Sequence, residues 1–429
     1  MRLRCRSGVW FLLAPLTAAL ANSCFACSVL SHEAIIDALW DVKLKPALLA
    51  RFPNASADDL KQAQGYAYGG AIIQDLGYYP HGNKKFSDMT HYVRTGDFVV
   101  ALVTESHNLN ELAFALGAGS HYFSDIDVHK SATNPGEAML YPKLERKFGK
   151  VITYEQDPAA HLKTEFGFDV LEVAKGRFAP EAYHDFIGFF VAEAVLNRAF
   201  HDTYGLDLSD LFPNFERSIG SYRRAVSNTI PAATRIAWAQ RKDEIQRSEP
   251  GITRSRFVYV MRRSSYERDW GKQYDRPTLA DRIAAGLIRL IPPIGPLRAL
   301  QFKMPTPPVE TLFMESFARA AGQYGAWLDH RSSRQMHLAN INYDVGAATK
   351  RGGYKLEDSA YVFWLDKLAE KNFSTATPQI RAQLFAYYRN SKPSVKTEKQ
   401  AKDWSRIQAE LGALRAAAPK SIRAASGAQ

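Results

Sequence analysis

Eight side chains able to ligate a metal fall in a fixed order: His32, Asp75, His91, then His121, Asp125 and His129 at four-residue steps, and His161 with Glu165 four residues on. Residues four apart on an α-helix lie on the same face, one turn up. Two helices carrying such stripes inward would gather imidazoles and carboxylates into one small volume, which is what a multinuclear metal site needs. The pair His161 and Glu165 alone would be a weak signal. The triple His121, Asp125 and His129 is stronger, because Tyr122, Phe123 and Ile126 point in other directions. Gly117 and Gly119, with Ala118 and Ser120, precede it and would let another backbone approach closely.

Period 3.6 dominates the rest of the chain, and the reading is an all-α fold. Ile35, Leu39 and Leu48 mark a first helical stretch. Asp58 to Leu76 makes a second, with Leu60, Ala67, Ile72 and Ile73 apolar. Phe98 to His121 makes a third, through Val99, Leu102, Leu109, Leu112, Phe114 and Leu116. Asp157-Pro158 reads as an N-cap followed by proline at the first helical position, opening a helix that ends near Gly176. Pro180 opens another, running to Gly205. The segments expected are a signal over 1–26, a helical domain over 27–212, a basic and mostly helical extension over 213–415, and a disordered tail over 416–429. Thr306-Pro307-Pro308 reads as a linker into a C-terminal helical region. The proline-broken stretch Leu287 to Phe302 reads as an apolar connection over a core rather than a loop dipping into a membrane.

Arg2, Arg4 and Arg6 precede an apolar run from Val9 to Ala21, and Ala26 offers a cleavage point. This is the pattern of a secretory signal, so the mature chain is expected outside the cytoplasm, secreted or periplasmic, and either soluble or associated with a membrane surface. All three cysteines (Cys5, Cys24, Cys27) lie at this end. The body therefore has neither a disulfide nor a thiolate zinc site, and any metal falls to His and carboxylates, a donor set suited to hydrolytic zinc. The formal net charge is +11. Pro213 to Arg263 holds eleven Lys and Arg against four acids, and Ser391 to Gln429 holds eight against three. Such faces suit anionic headgroups, nucleic acid or simple solvation alike.

In ligand order and spacing over Cys27 to Gly205, the chain resembles the bacterial zinc-dependent phospholipases C and their relatives, the trinuclear zinc nucleases. The resemblance implies three zinc ions. Asp75, His91, His121 and Asp125 would hold one, and His129, His161 and Glu165 a second. The amine and carbonyl of Cys27, exposed by cleavage after Ala26, would hold the third with His32, and Asp125 would bridge to it. Asp75 would also act as the catalytic proton acceptor. The chain departs from the family in several places. Cys27 stands where the family has Trp, and the step from His121 to His129 is shorter. A longer insert around Tyr141-Pro142-Lys143 separates His129 from His161. His81 competes with His91 for one place, and spacing favours His91. His107, His184, His201, His330 and His337 are read as structural or exposed.

The chemistry implied is water attack on a phosphate diester without a covalent enzyme intermediate. Glu165 is the phospholipase choice where the nucleases carry Asp. The first reading is therefore cleavage of glycerophospholipids to diacylglycerol and phosphorylated headgroup, with phospholipid at a membrane surface as the partner. No obligatory nucleic acid and no protein partner are expected. A nuclease or nucleotidase comes second, and would need aromatics beside the metals, for which Tyr66, Tyr68, Tyr78 and Tyr79 are candidates. A non-catalytic, zinc-stabilised protein of membrane surfaces comes third.

Overall fold

A computed structural model describes residues 29–175, 190–224, 238–239, 242–247, 250–257, 302–330, 337–389 and 397–417. The signal segment, Cys27, residues 287–301 and the tail beyond 417 lie outside them, as does the start of the helix expected from Pro180. Among the described residues the fold is all-α, with one two-stranded hairpin.

The helices run α1 (Val29–Leu39), α2 (Lys45–Arg51), α3 (Ala57–Ile72), α4 (Lys84–Tyr92), α5 (Thr95–Thr104), α6 (Leu109–Val128), α7 (Asn134–Leu140), α8 (Pro142–Phe148), α9 (Pro158–Ala174), α10 (Glu193–Tyr204) and α11 (Phe215–Arg224). Short α12 (Arg254–Phe257) and long α13 (Pro307–His330) come next. The hairpin pairs β1 (Ile341–Asn342) with β2 (Ala347–Ala348) in antiparallel register, and α14 (Lys355–Glu370), α15 (Pro378–Tyr388) and α16 (Glu398–Ala416) complete the order.

Helix α6 is the axis of the molecule. It is buried on nearly every side, its first half among apolar residues from Leu112 to Ala118 and its second half with a polar stripe that includes Ser120, His121 and Asp125. It crosses α3 at backbone contact. A Cβ on Gly117 would stand 2.0 Å from the Ala67 carbonyl oxygen, and one on Gly70 would stand 1.9 Å from that of Phe114. The close approach expected of Gly117 is therefore with α3, whereas Gly119 makes room for the Trp327 ring of α13. The Tyr324 hydroxyl of α13 donates to Leu116 O at 2.8 Å, and Arg319 pairs with Asp127 at 2.8 Å. Trp364 Nε1 of α14 donates to Tyr204 O at 2.7 Å. One hydrophobic core thus contains Ile35, Phe114 and Phe200 together with Phe313, Trp364 and Leu384.

Several sequence boundaries shift. The stretch Phe98 to His121 is two helices, because the Asn108 side chain caps α6 by accepting the Glu111 N–H. The stretch ending at Leu76 leaves the α conformation after Ile72 and tightens into a 3-10 turn, Ile73–Tyr78. The C-terminal helical region expected after Thr306-Pro307-Pro308 begins earlier, at Pro307: both prolines sit in the first turn of α13, where their missing N–H groups cost nothing. Asp157 caps α9, its Oδ1 accepting from Ala160 N at 2.9 Å.

Candidate metal centre

Six local devices deliver the eight ligand-capable residues. His32 lies on α1, and Asp75 lies in the 3-10 turn that ends α3. His91 lies in the last turn of α4, His121 and Asp125 on α6, and His161 and Glu165 on α9. His129 opens a π-helical turn, His129–Thr133, that continues α6, and its own N–H still bonds to Asp125 O. The stripe on α6 therefore keeps its direction through a widened turn, a feature frequent at functional sites.

Seven of these side chains line one cleft, and the eighth, His121, is fully buried against it, its Nε2 3.4 Å from that of His91. Two donor groups on the cleft's inner side share His121: His32 with His121 and Asp125, and Asp75 with His91 and His121. His129, His161 and Glu165 form the third. Asp125 stands at the junction. Its Oδ2 lies 3.0 Å from His121 Nε2 and 3.4 Å from His91 Nε2, while Oδ1 lies 3.4 Å from His32 Nε2 and 3.7 Å from His129 Nε2. Asp75 Oδ1 is 3.3 Å from His91 Nε2. Glu165 Oε1 is 2.9 Å from His129 Nε2 and 3.2 Å from His161 Nε2.

The imidazoles are fixed from behind. His91 Nδ1 donates to Ser87 O and His121 Nδ1 to Ala71 O, each at 2.8 Å, which leaves both Nε2 atoms free to face the cleft. Those two Nε2 atoms approach to 3.4 Å. His161 Nδ1 faces Glu137 Oε1 at 2.9 Å. Carboxylate or carbonyl partners behind ligating histidines are what a metal site requires.

The residues present fit zinc. A tetrahedral ion with bonds of about 2.0–2.1 Å has donor–donor edges of about 3.3–3.4 Å, and most donor separations here fall near that length, long for hydrogen bonds between ionised partners. Charge gives the same answer. Asp75, Asp125, Glu165 and Asp344 line the cleft with no Lys or Arg among the lining residues. Buried carboxylates in that number need cations. In the bare protein only the imidazoles can supply them. Burial alone would lower His91, but hydrogen bonds to Asp125 and Asp75 outweigh it and carry its pKa up to about 10. Burial would likewise raise Glu165, but His161 and His129 hold it at about 2. His32 is left neutral, pushed down to about 4 by burial and by His121. Zinc would take over the charge that those protons otherwise supply.

All eight described candidates are thus brought together, and Cys27 lies outside the described residues. His91 is in the cleft, whereas His81 is an exposed loop residue whose carbonyl accepts from Ser218 Oγ at 2.7 Å. His201 pairs with Asp207 at 2.9 Å, away from the centre. His107, His330 and His337 do not line the cleft either, and His184 is outside the described residues. Of the four tyrosines considered for stacking, only Tyr78 lines the cleft. Tyr66 packs on Phe190, Tyr68 bonds to Asp37, and Tyr79 packs on Tyr222.

Sequence reading missed Glu137, Tyr92, Tyr154 and Asp344. Asp344 sits in the β1–β2 turn, 2% exposed, with Oδ2 accepting from the Tyr354 hydroxyl at 2.7 Å and from Tyr154 N at 3.1 Å. Its Oδ1 has no hydrogen-bond partner and lies 4.0 Å from His161 Nδ1. No metal-ligand spacing marks a single Asp so far along the chain. The only local signal is Asn342, whose side chain accepts the Asp344 N–H and shapes the turn.

Residues 31–213 match the family described as zinc dependent phospholipase C. The resemblance carried by the ligand order therefore holds across this helical region, and the match stops where the basic segment begins. No curated protein and no solved structure matches the chain.

Proposed function

We propose that this protein is a zinc-dependent phosphodiester hydrolase that cleaves glycerophospholipids to diacylglycerol and a phosphorylated headgroup. The observation that carries the proposal is the convergence of five imidazoles and three carboxylates, all within the segment that matches the zinc-dependent phospholipase C family, around a cleft that no Lys or Arg lines. A phosphate entering such a cleft needs metal cations to meet it.

In this reading Asp75, His91, His121 and Asp125 hold one ion, and His129, His161 and Glu165 a second. His32 serves a third with the backbone of Cys27 and a shared Asp125. Bound zinc supplies a Lewis acid for the phosphoryl oxygens and makes water acidic enough to attack near neutral pH. The chain's own residues do the rest. Asp125 offers its two oxygens to different histidines and so sets the spacing between sites. Asp75, at the cleft's edge with its side chain 11% exposed, is placed to take the proton of the attacking water. Tyr78, Tyr92, Tyr154 and Leu162 form the wall that excludes bulk water. Asp344 on that wall accepts hydrogen bonds, and so favours a headgroup bearing donors over one bearing another anion.

The test is direct. Zinc-loaded protein supplied with phosphatidylcholine should release a phosphorylated headgroup and diacylglycerol, and chelation should abolish release. One observation favours a second reading: the rings of Tyr78 and Tyr154 lie 6.0 Å apart beside the metal positions, where bases could stack. Cleavage of single-stranded nucleic acid with no lipid hydrolysis would establish that reading instead. Neither activity in fully loaded protein would leave a zinc-stabilised, non-catalytic protein. The setting we propose is outside the cytoplasm at a lipid surface. Among the described residues no helix is long and apolar enough to cross a membrane.

A further inference from the structure

We propose that α8 and the segment leaving it form a docking surface for an anionic lipid bilayer, beside the mouth of the cleft. Helix α8, Pro142–Phe148, buries no residue at all. Most helices in proteins are held by an apolar face packed on a core, and a seven-residue helix has little stability of its own. This one is presented to solvent, and its composition says for what. Lys143, Arg146, Lys147 and Lys150 stand against Glu145 alone over residues 142–151. Lys303 adds a fifth cation, its Nζ donating to Leu140 O at 2.6 Å and lying 5.2 Å from the Tyr141 ring.

The second observation is apolar. Met139 is 47% exposed and Val151 54% exposed, and they flank this basic helix on either side in sequence. They are two of the three large hydrophobic residues most exposed among the described residues. Cations with flanking exposed apolar side chains match a headgroup layer. The charges meet lipid phosphates, and the apolar groups reach the acyl boundary. A nucleic acid backbone would use the cations but has no use for Met139 and Val151. The patch also leads into the site. Ile152 is buried and its N–H bonds to Asn134 O at 3.1 Å, and Tyr154 already lines the cleft. A bilayer seated on α8 would bring its surface to the cleft's edge. As a place for substrate delivery this surface rests on the phospholipase reading, but the binding is separate from turnover and is measured without it.

The experiment is co-sedimentation of the zinc-loaded full chain with vesicles of phosphatidylcholine alone and of phosphatidylcholine mixed with phosphatidylserine. The parent should bind the mixed vesicles more tightly, and added salt should weaken that binding. K143E/R146E/K147E, on a helix without buried residues, should lower partitioning by about a hundredfold. M139S/V151S should weaken binding with little change in its salt dependence. Both variants should hydrolyse a water-soluble phosphodiester at the parent's rate, which shows that the centre is intact. Equal binding by the charge-reversed and parent proteins, or capture of single-stranded nucleic acid without vesicle binding, would overturn the proposal. Loss of soluble-diester turnover in the parent would overturn the hydrolase reading instead and leave vesicle binding to be judged by itself.

Discussion

Asp125 is the residue on which the centre turns, because its two oxygens face four histidines divided between neighbouring donor groups. Asp125→Asn keeps the shape and removes the charge that two cations would share. We expect kcat to fall by about a hundredfold or more, about 3 kcal/mol in the barrier, with far-UV circular dichroism unchanged. A rate within about tenfold of the parent would show that Asp125 is not shared. Glu137 acts one step back, facing His161 Nδ1 at 2.9 Å. Glu137→Gln should weaken zinc binding at the His129, His161 and Glu165 group by about 10–100-fold, the usual cost of losing such a partner. Competition with a chromophoric chelator measures that affinity directly, and an unchanged value would reduce Glu137 to packing. The clustering of His121, Asp125 and His129, and of His161 with Glu165, was legible because helical four-residue steps are visible in one dimension. Glu137 and Asp344 were not, since they reach His161 from a π-turned helix start and from a hairpin far along the chain.

At the scale of elements, the crossing of α3 and α6 positions the site. Gly117 against Ala67 and Gly70 against Phe114 let the two backbones touch, and the crossing puts Ala71 O within reach of His121 Nδ1. Alanine is the better helix former by about 1 kcal/mol. Yet Gly117→Ala would press a methyl against the Ala67 carbonyl and should destabilise the protein by about 1–3 kcal/mol or more. Thermal unfolding decides between the two, and a raised Tm would mean that the helices are not in contact. A second joint, between α1 and α3, is pH-sensitive. The Tyr68 hydroxyl donates to Asp37, yet burial pushes Asp37 up to about 6 from an ordinary 3.8. The folded state therefore holds this proton more tightly than the unfolded chain. The stabilisation is full below pH 4 and is lost as pH rises towards 6. Asp37→Asn keeps an acceptor for Tyr68 and removes the ionisation. It should raise stability at pH 7–8 by on the order of 1–3 kcal/mol and change it little near pH 4. Denaturant titrations at both pH values test this, and a gain of equal size at both would assign the effect to packing. The helices were legible from their apolar period and from caps such as Asp157. The break at 105–108 was less so although all four of its residues are polar, because the apolar spacing resumes in step beyond it, Leu102 and Leu109 lying about two helical turns apart.

For the molecule as a whole, the family match ends at residue 213, but the cleft does not. Asp344 closes one wall, Tyr343 N donates to His91 O at 3.1 Å, and α13 lies along α6. The later helices read in the sequence only as a basic extension, since nothing in a helical period says which face meets which partner. The hydrolysis proposed for this protein depends on these converging donors forming a multinuclear zinc centre. Elemental analysis of the mature protein, saturated with zinc and freed of excess, tests it most directly. Three zinc ions per chain are expected, and one zinc or none would rule the trinuclear centre out.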